Sequence, residues 1–477
     1  MVQLQRKLGL WVSISIVIGS VIGSSIFIKP AIMAAQLSSP LLLLLLWLVA
    51  GSISLIGAMI NAEIGCMLPE TGGQYVYFRK MYGDFFAYLY GWACFIVINT
   101  AAIAAIAFVF AQFSEYFFQL PSFSKETETA LQWHLPFLGD LYPLQNAGVK
   151  TLAILTVFVV TIINVRSVKS GGAIQVFFTV LKVAALLLLI GFLFCGKGSL
   201  SNLTANPASF NTMPWYMFTG FIAATSGALA SYDGWNNLGY IAGEIKDPQK
   251  NIPRSLIMGL GICMLLYILT NEAYLYIIPV EEMKNSTMVA ADAMNKVGGI
   301  AGGGFIALLV MISCAGAVNG NVLPCARVNF AMAQDNCFFK SAAKVHPRFH
   351  TPVTALWIQC VWACVFIITG SFDMLADMFV FMSWVFYGFG AYGIFILRKK
   401  MPDAKRKYTM WGYPVLPVIF ILFSLLYFII TIYNDVHNYL TGKSPIINSL
   451  LGLMLTAIGI PFYWYFKRNK LLKDQEL

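Results

Sequence analysis

Ile18-Gly19-Ser20-Val21-Ile22-Gly23-Ser24-Ser25-Ile26-Phe27 lies inside an apolar run from about Leu8 to Ala35, long enough to cross a bilayer. Gly and Ser gather at its middle, where a helix built only to span would carry Leu or Val. An interior Gly weakens a helix by about 0.5–1 kcal/mol. In hydrocarbon each unpaired backbone group costs several kcal/mol. The stretch therefore reads as a helix broken from Gly19 to Ser25, tolerated because the break lines an enclosed, wetted site. Free amides at the start of the second half-helix attract an anion. The competing reading is close helix packing through small residues, and Gly19 and Gly23 have that spacing. This run alone does not separate the two.

Working outward, composition sets the frame. The 477 residues are 59% hydrophobic and 11% charged, unlike a soluble globular domain. The apolar runs are continuous rather than alternating, which excludes a β-barrel. The fold class expected is an all-α polytopic membrane protein. Gln5-Arg6-Lys7 leads directly into a long span with no small-residue cleavage site, so no cleavable leader is expected. The formal net charge of +10 reflects basic loops on one membrane side and calls for no nucleic-acid partner. The nine Cys lie mostly in apolar runs without metal-ligand spacing and read as small buried hydrophobes. No metal and no cofactor is expected. His134, His346, His350 and His437 all fall in loops, which leaves no intramembrane His relay.

Apolar runs predict twelve spans, beginning near Leu8, Pro40, Phe85, Lys150, Gly172, Trp215, Pro253, Gly302, Val353, Met374, Tyr413 and Pro445. With both termini inside, about 23 Lys and Arg fall in inner segments, among them Arg6, Lys7, Arg79, Lys80, Arg398, Lys399 and Lys400. Only Lys125, Lys150, Lys197, Lys284, Lys296 and Lys443 fall outside. That bias places both termini in the cytoplasm. The inner loop from Gly65 to Gly83 mixes apolar and polar residues and is too short to span. It predicts a half-buried amphipathic helix at the inner mouth, with an interfacial anchor as the alternative. The longest outer loop, Ser114 to Asn146, has no Cys and no glycosylation acceptor. No disulfide-linked accessory subunit is expected.

The sixth span repeats the anomaly of the first. Trp215 to Ile245 is interrupted by Gly227-Ala228-Leu229-Ala230-Ser231-Tyr232-Asp233-Gly234-Trp235-Asn236-Asn237. A Gly, an Asp and two Asn at mid-depth do not face lipid. Two broken spans five apart are the mark of two inverted five-helix repeats with a central site, and spans eleven and twelve lie outside them. This pairing decides the first stretch in favour of a break. Half-helix N-termini suit a carboxylate, and unwound carbonyls suit a cation, so a zwitterionic amino acid matches both. Each helix-end contact is worth about 0.3–1 kcal/mol, which fits reversible binding.

Lys182 stands in span five, where a buried Lys costs on the order of 2.5–3.5 kcal/mol. One reading is an ammonium bonding the unwound carbonyls of span one, where a sodium-driven carrier would hold Na⁺. The other is a Lys snorkelling to the inner interface. Asp233 reads either as a counter-ion for a substrate amine or as a cap for the half-helix that follows. Tyr232 and Trp235 are more often packing aromatics than ligands, whereas Asn236 and Asn237 are stronger candidates. Glu244 opens a charged turn, Lys246 to Arg254, that reads as an inner-gate ion pair or as a solvated loop. Ser313 to Asn321 in span eight is small and polar, including Asn319 and Gly320. It faces span one or packs tightly.

Four ordered motifs resemble the amino acid–polyamine–organocation superfamily, most closely its L-type amino acid transporter branch. Gly19 to Phe27 is similar to the branch's broken first helix. Leu68-Pro69-Glu70-Thr71-Gly72-Gly73-Gln74-Tyr75 resembles its inner-loop signature. Tyr232-Asp233-Gly234-Trp235-Asn236, followed by Glu244 to Pro248 and Asn251-Ile252-Pro253, resembles its sixth helix. Val318-Asn319-Gly320 with Ala326-Arg327 resembles its eighth.

The resemblance implies a leucine-transporter-like fold of twelve transmembrane helices. Residues 1–200 and 201–400 would form the inverted repeats, and 401–477 the last two spans and tail. It also implies sodium-independent amino acid transport, commonly exchange. Carried over, the amides of Ser24 and Ser25 hold the substrate carboxylate. The carbonyls of Val21, Ala230 and Asp233 hold the amine. Ile22, Gly23, Tyr232, Gly234, Trp235 and Asn236 complete the wall. Lys182 matches the lysine that replaces sodium. Glu70, Gly72, Gly73, Tyr75 and Glu244 belong to the inner loop and gate, and Asn319 and Gly320 support them from span eight. The chain departs from the pattern at three positions. Ser25 replaces a Gly, Ala230 replaces a gating aromatic, and Asp233 replaces a smaller residue. The lack of an outer-loop Cys points to a stand-alone, bacterial-like carrier.

The sequence thus predicts a cell-membrane exchanger of neutral L-amino acids working by alternating access. The alternative is a carrier of cationic amino acids or polyamines, with or without proton coupling. A membrane-embedded enzyme would need a nucleophile–base pair or metal cluster at depth, and the spans contain neither motif. A passive channel is the third class, and counterflow separates it from an exchanger.

Overall fold

The structure is a computed structural model that describes Arg6 and residues 8–70, 72–166, 171–204, 215–349, 351–404 and 406–474. Gln5, Lys7, Thr71 and His350, named above, lie outside the described residues. The chain is overwhelmingly helical. The first apolar run forms α1 (Leu10–Val21) and α2 (Ser25–Leu37). Then come α3 (Pro40–Met67), α4 (Gln74–Tyr82) and α5 (Asp84–Ser114). α6 (Ala147–Arg166) and α7 (Gly171–Cys195) follow. The second anomalous run gives α8 (Trp215–Tyr232) and a single turn, α9 (Asn237–Tyr240). The remainder is α10 (Pro248–Ile277), α11 (Val289–Gln334), α12 (Val353–Thr369), α13 (Phe372–Lys400), α14 (Val415–Leu440) and α15 (Asn448–Lys467).

Among the described residues nine helices are long and apolar enough to cross a membrane, and α1 with α2 forms a tenth span bent by 41°. α12 is apolar but only 17 residues long. The last of the spans expected from the sequence is the interrupted pair α8 and α9. Two boundaries moved. The seventh span starts at Pro248, not near Pro253, because proline fits the first turn of a helix, where its missing N–H is no loss. The eighth helical run begins at Val289, but Gly299 at φ 61° splits it near the expected start at Gly302.

Both breaks are narrower than the sequence reading. Gly19 and Ser20 remain helical, and the first interruption covers only Ile22, Gly23 and Ser24. Gly227 to Tyr232 also remain helical, and the second interruption is the turn Asp233 to Asn236. Helical hydrogen bonding persists until side chains from other helices can take over the released carbonyls. Hydrocarbon favours the shortest break that does this.

The two interrupted helices lie side by side. α2 packs along α8, α1 packs on α10 and α7, and α3 fills the groove beside α8 and α10. Gly234 makes the closest approach. Its φ is +106°, and a Cβ there would sit 2.7 Å from the Ser20 carbonyl oxygen. A left-handed residue without a side chain is what lets one break rest on the other.

The end of the bundle nearest Leu8, called proximal here, is closed by backbone as well as side chains. The Leu8 amide donates to the Glu244 carbonyl at 3.0 Å, and the Lys246 amide donates to the Leu8 carbonyl at 2.8 Å. α4 lies below, with Tyr75, Val76, Tyr77, Phe78 and Met81 buried, so the loop helix is embedded rather than half-buried. At the distal end the long loop folds into a short helix, Lys125–Ala130, and a hairpin, β1 (Trp133–Leu135) and β2 (Gly139–Leu141). The hairpin is pinned to the α14–α15 connection by Asp140 N–H to Pro445 O at 2.7 Å and Ile447 N–H to Leu138 O at 2.9 Å.

Candidate functional site

The first break is stabilised from outside its own helix. Once α1 ends, the carbonyls of its last turn have no amide partner. Lys182 of α7 supplies two of the missing donors. Its Nζ donates to Gly19 O at 2.8 Å and to Ile22 O at 2.9 Å. The side chain is 2% exposed, so it does not snorkel to an interface. A fixed positive charge therefore sits against two carbonyl dipoles at the end of α1, where the helix dipole is negative.

Tyr267 of α10 supplies a third donor and was not singled out from the sequence. Its hydroxyl lies 2.8 Å from Val21 O and 3.0 Å from Ser231 O. One phenol thus bridges the two interrupted helices. One lone pair of the Val21 carbonyl is used in this way, and the other remains for a ligand. The sequence signal was slight, one of three Tyr in a largely apolar helix.

Beyond Gly23 the chain turns into α2. Ser24 and Ser25 are buried, and no side chain caps the helix. As at any helix start, its first amides have no partner within the helix, an arrangement suited to a carboxylate. Opposite them α8 ends at Tyr232. Asp233 is held by Tyr387 of α13, whose hydroxyl donates to Asp233 Oδ1 at 2.6 Å. Asn236 is buried, and its Oδ1 has no hydrogen-bond partner, an acceptor left for an incoming donor. Ala230 is small and buried and closes nothing.

Not every residue expected at the site is brought to it. The ring of Tyr232 turns to α3 and α10, with centroids 5.8 Å from Trp47 and 5.1 Å from Tyr267. Trp235 packs on Tyr387 at 5.0 Å and against Gly57 of α3. Both brace the breaks from behind. Asn237, a neighbour of the expected set, donates to Asn321 Oδ1 at 3.2 Å, which ties α9 to α11. Asn319 accepts from Asn164 of α6 at 2.8 Å, and Gly320 lies beside it on α11.

The inner-loop residues assemble at the proximal end. Glu244 pairs with Arg327 at 2.6 Å. Tyr75 donates to Asp335 at 2.8 Å, and Arg79 pairs with the same oxygen at 2.7 Å. Burial and the Asp335 carboxylate push the Tyr75 phenol well above its ordinary range, so it stays protonated and donating. The amide of Gly72 donates to Tyr240 O at 3.2 Å, and Gly73 abuts the same turn. Glu70 is exposed and takes no part in this closure. The rest of the turn, Lys246, Asp247 and Lys250, is solvated as its charge implies.

The arrangement is two facing sets of backbone ends, one already neutralised by a lysine, closed at the proximal side by ion pairs. Among the described residues no cluster of three or more His, Cys, Asp or Glu could hold a metal. Comparison with known proteins places the chain in a family. The profile of the family described as Amino acid permease matches residues 8–457. The chain is 30% identical to the Serine/threonine exchanger SteT of Bacillus subtilis (strain 168), over 98% of each chain. It is 29% identical to the b(0,+)-type amino acid transporter 1 of Homo sapiens, over 98% of this chain and 89% of that one. It is 28% identical to the Cystine/glutamate transporter of Homo sapiens, over 98% of this chain and 86% of that one.

Proposed function

The chain belongs to the amino acid permease family, within the amino acid–polyamine–organocation superfamily, and on that premise we propose sodium-independent exchange of neutral L-amino acids. As a member it is a multi-pass membrane transporter of amino acids. The observation that carries the finer reading is Lys182, whose ammonium already fills the carbonyl pair that a bound cation would need. An ammonium built into that position supports transport without sodium.

In this reading the substrate carboxylate accepts from the amides of Ser24 and Ser25. Its ammonium meets the carbonyls of Ala230 and Asp233, the free lone pair of Val21 O and the unpaired Asn236 Oδ1. Tyr387 occupies an oxygen of Asp233, which favours neutral over cationic side chains. The relative named a serine/threonine exchanger supports small neutral substrates. The second reading, a carrier of cationic amino acids or polyamines, rests on the same carboxylate, which Tyr387 restrains without neutralising. The excess of Lys and Arg in the proximal loops supports a cytoplasmic proximal end with both termini inside. The two facing breaks support inverted repeats over residues 1–200 and 201–400, with 401–477 outside them.

Proteoliposomes test the proposal with labelled Ser, Ala, Leu, Lys and Arg, in sodium or choline buffer, loaded or empty. The expected result is uptake of neutral substrates that ignores sodium and rises with internal amino acid. Uptake of Lys and Arg alone selects the second reading. A strict sodium requirement, or the same flux from empty vesicles, overturns exchange of this kind.

A further inference from the structure

At the distal side of the gap between the breaks Ala230 places only a methyl group where the resemblance implies a gating aromatic. Something else must close it. Lys29 of α2 is 2% exposed, although it carries a charge and lies in the distal half of the bundle. Its Nζ stands 2.8 Å from Asp373 and 3.7 Å from Asp377, both on α13. Ser226 of α8 donates to Asp377 at 3.0 Å. Phe372 covers the ammonium from one side, with its ring centroid 5.0 Å away. A single cluster thus joins both distal half-helices to a third helix.

The pair lies at a boundary between wet and dry. Beyond it a cavity of about 160 Å³ opens, lined by Lys29, Gln36, Ser226, Asp373, Asp377 and Asp435. Asp373 is 59% exposed there, while Ser24, Ser25 and Ala230 on the other side are buried. Beside it α2 and α8 approach closely at Gly227, where a Cβ would lie 3.1 Å from Met33.

We infer that Lys29 with Asp373 and Asp377 is the distal gate: the ion pair closes α2 and α8 against α13, and water replaces it when the site opens outward. The chemistry suits a gate. An ion pair with its lysine buried and its carboxylate half in water gains little net energy, because its attraction is offset by the lost hydration of the ammonium and screened by solvent at Asp373. Exchanging the partner for water is therefore close to balanced. An apolar plug would have to expose hydrocarbon at every opening. The inference rests on reading the breaks as the substrate site, but its test does not require any substrate.

Single cysteines at Ala223, in the distal cavity, and at Ala230, beneath the pair, are introduced with exposed Cys195 changed to Ser. They are reacted with a membrane-impermeant thiol reagent applied from outside, without amino acid, and labelling is read at each residue by mass spectrometry. Lys29→Met should raise the labelling rate of A230C about tenfold and leave that of A223C unchanged. The double variant Asp373→Asn with Asp377→Asn should do the same. Unchanged A230C labelling in both backgrounds overturns the inference. So does a loss of thermal stability with labelling altered at both positions, which makes the cluster a structural tie. A chain that carried no amino acid at all would still give the expected labelling, so a failure of the transport reading stays distinguishable.

Discussion

The two interrupted helices face each other across the same gap and are held open by opposite means. At the first, donors arrive from other helices. Lys182 reaches Gly19 and Ile22, and Tyr267 reaches Val21. At the second, the chain largely serves itself. Gly234 takes the left-handed turn, and Ser231 bonds back to the Gly227 carbonyl at 3.0 Å. Outside help comes from Tyr387 on Asp233, the shared Tyr267 and, at the start of α9, Asn321 on Asn237. The first break thus depends on a charge delivered from a distance, and the second on local stereochemistry. A mutation of the donors at the first should disturb transport while the bundle survives, and one at the left-handed Gly234 of the second should disturb folding.

The sharpest way to break this contrast is Lys182→Ala. Removing the ammonium leaves two buried carbonyls unpaired, at about 1–3 kcal/mol each. Exchange in proteoliposomes should fall by ~100-fold or more, or become leaky, while detergent-purified protein keeps its size-exclusion profile. Normal activity would remove Lys182 from the mechanism. Gly234→Val is the counterpart at the second break. The left-handed conformation costs a β-branched residue at least about 1–2 kcal/mol, and its Cβ meets Ser20 O. Here a lower melting temperature should accompany lost transport. Stability equal to that of the parent would erase the distinction between the breaks.

Tyr267→Phe comes next, because it touches both sides. One O–H shared between two carbonyls, worth about 0.5–1.5 kcal/mol, is lost. Exchange should drop ~10-fold with little change in melting temperature. Asp233→Asn should have the smallest effect, since an amide still accepts from Tyr387. Serine and alanine transport should stay within ~3-fold of the parent, with lysine and arginine remaining poor substrates. A collapse of neutral transport would show that the negative charge itself is used.

How far the chain could be read in advance follows the same division. Both breaks were visible because Gly, Ser, Asp and Asn at mid-span contradict a simple membrane helix. Lys182 was visible because a charge in an apolar run needs a reason. The exact extent of each break was not visible. Gly19, Ser20 and Gly227 look like helix breakers, yet helical bonding carries through them until a donor from another helix is in place. Tyr267, Tyr387 and the Lys29–Asp373 pair were not singled out either. Tyrosine in an apolar span reads as packing. Lys29 meets a partner 344 positions along the chain, a distance local pattern does not encode. Asn237 was rated beside Asn236, but only the fold showed that one is spent on Asn321 and the other left unpaired.

The short backbone clip at Leu8 has a mechanical consequence. Two main-chain bonds fasten the entry of α1 to the strip that follows α9, and no side chain is needed to make them. Main-chain latches of this type do not swivel independently as two rotamers would. The lower halves of both interrupted helices are therefore coupled as one door leaf. Movement of either half at that end must carry the other with it or break both bonds.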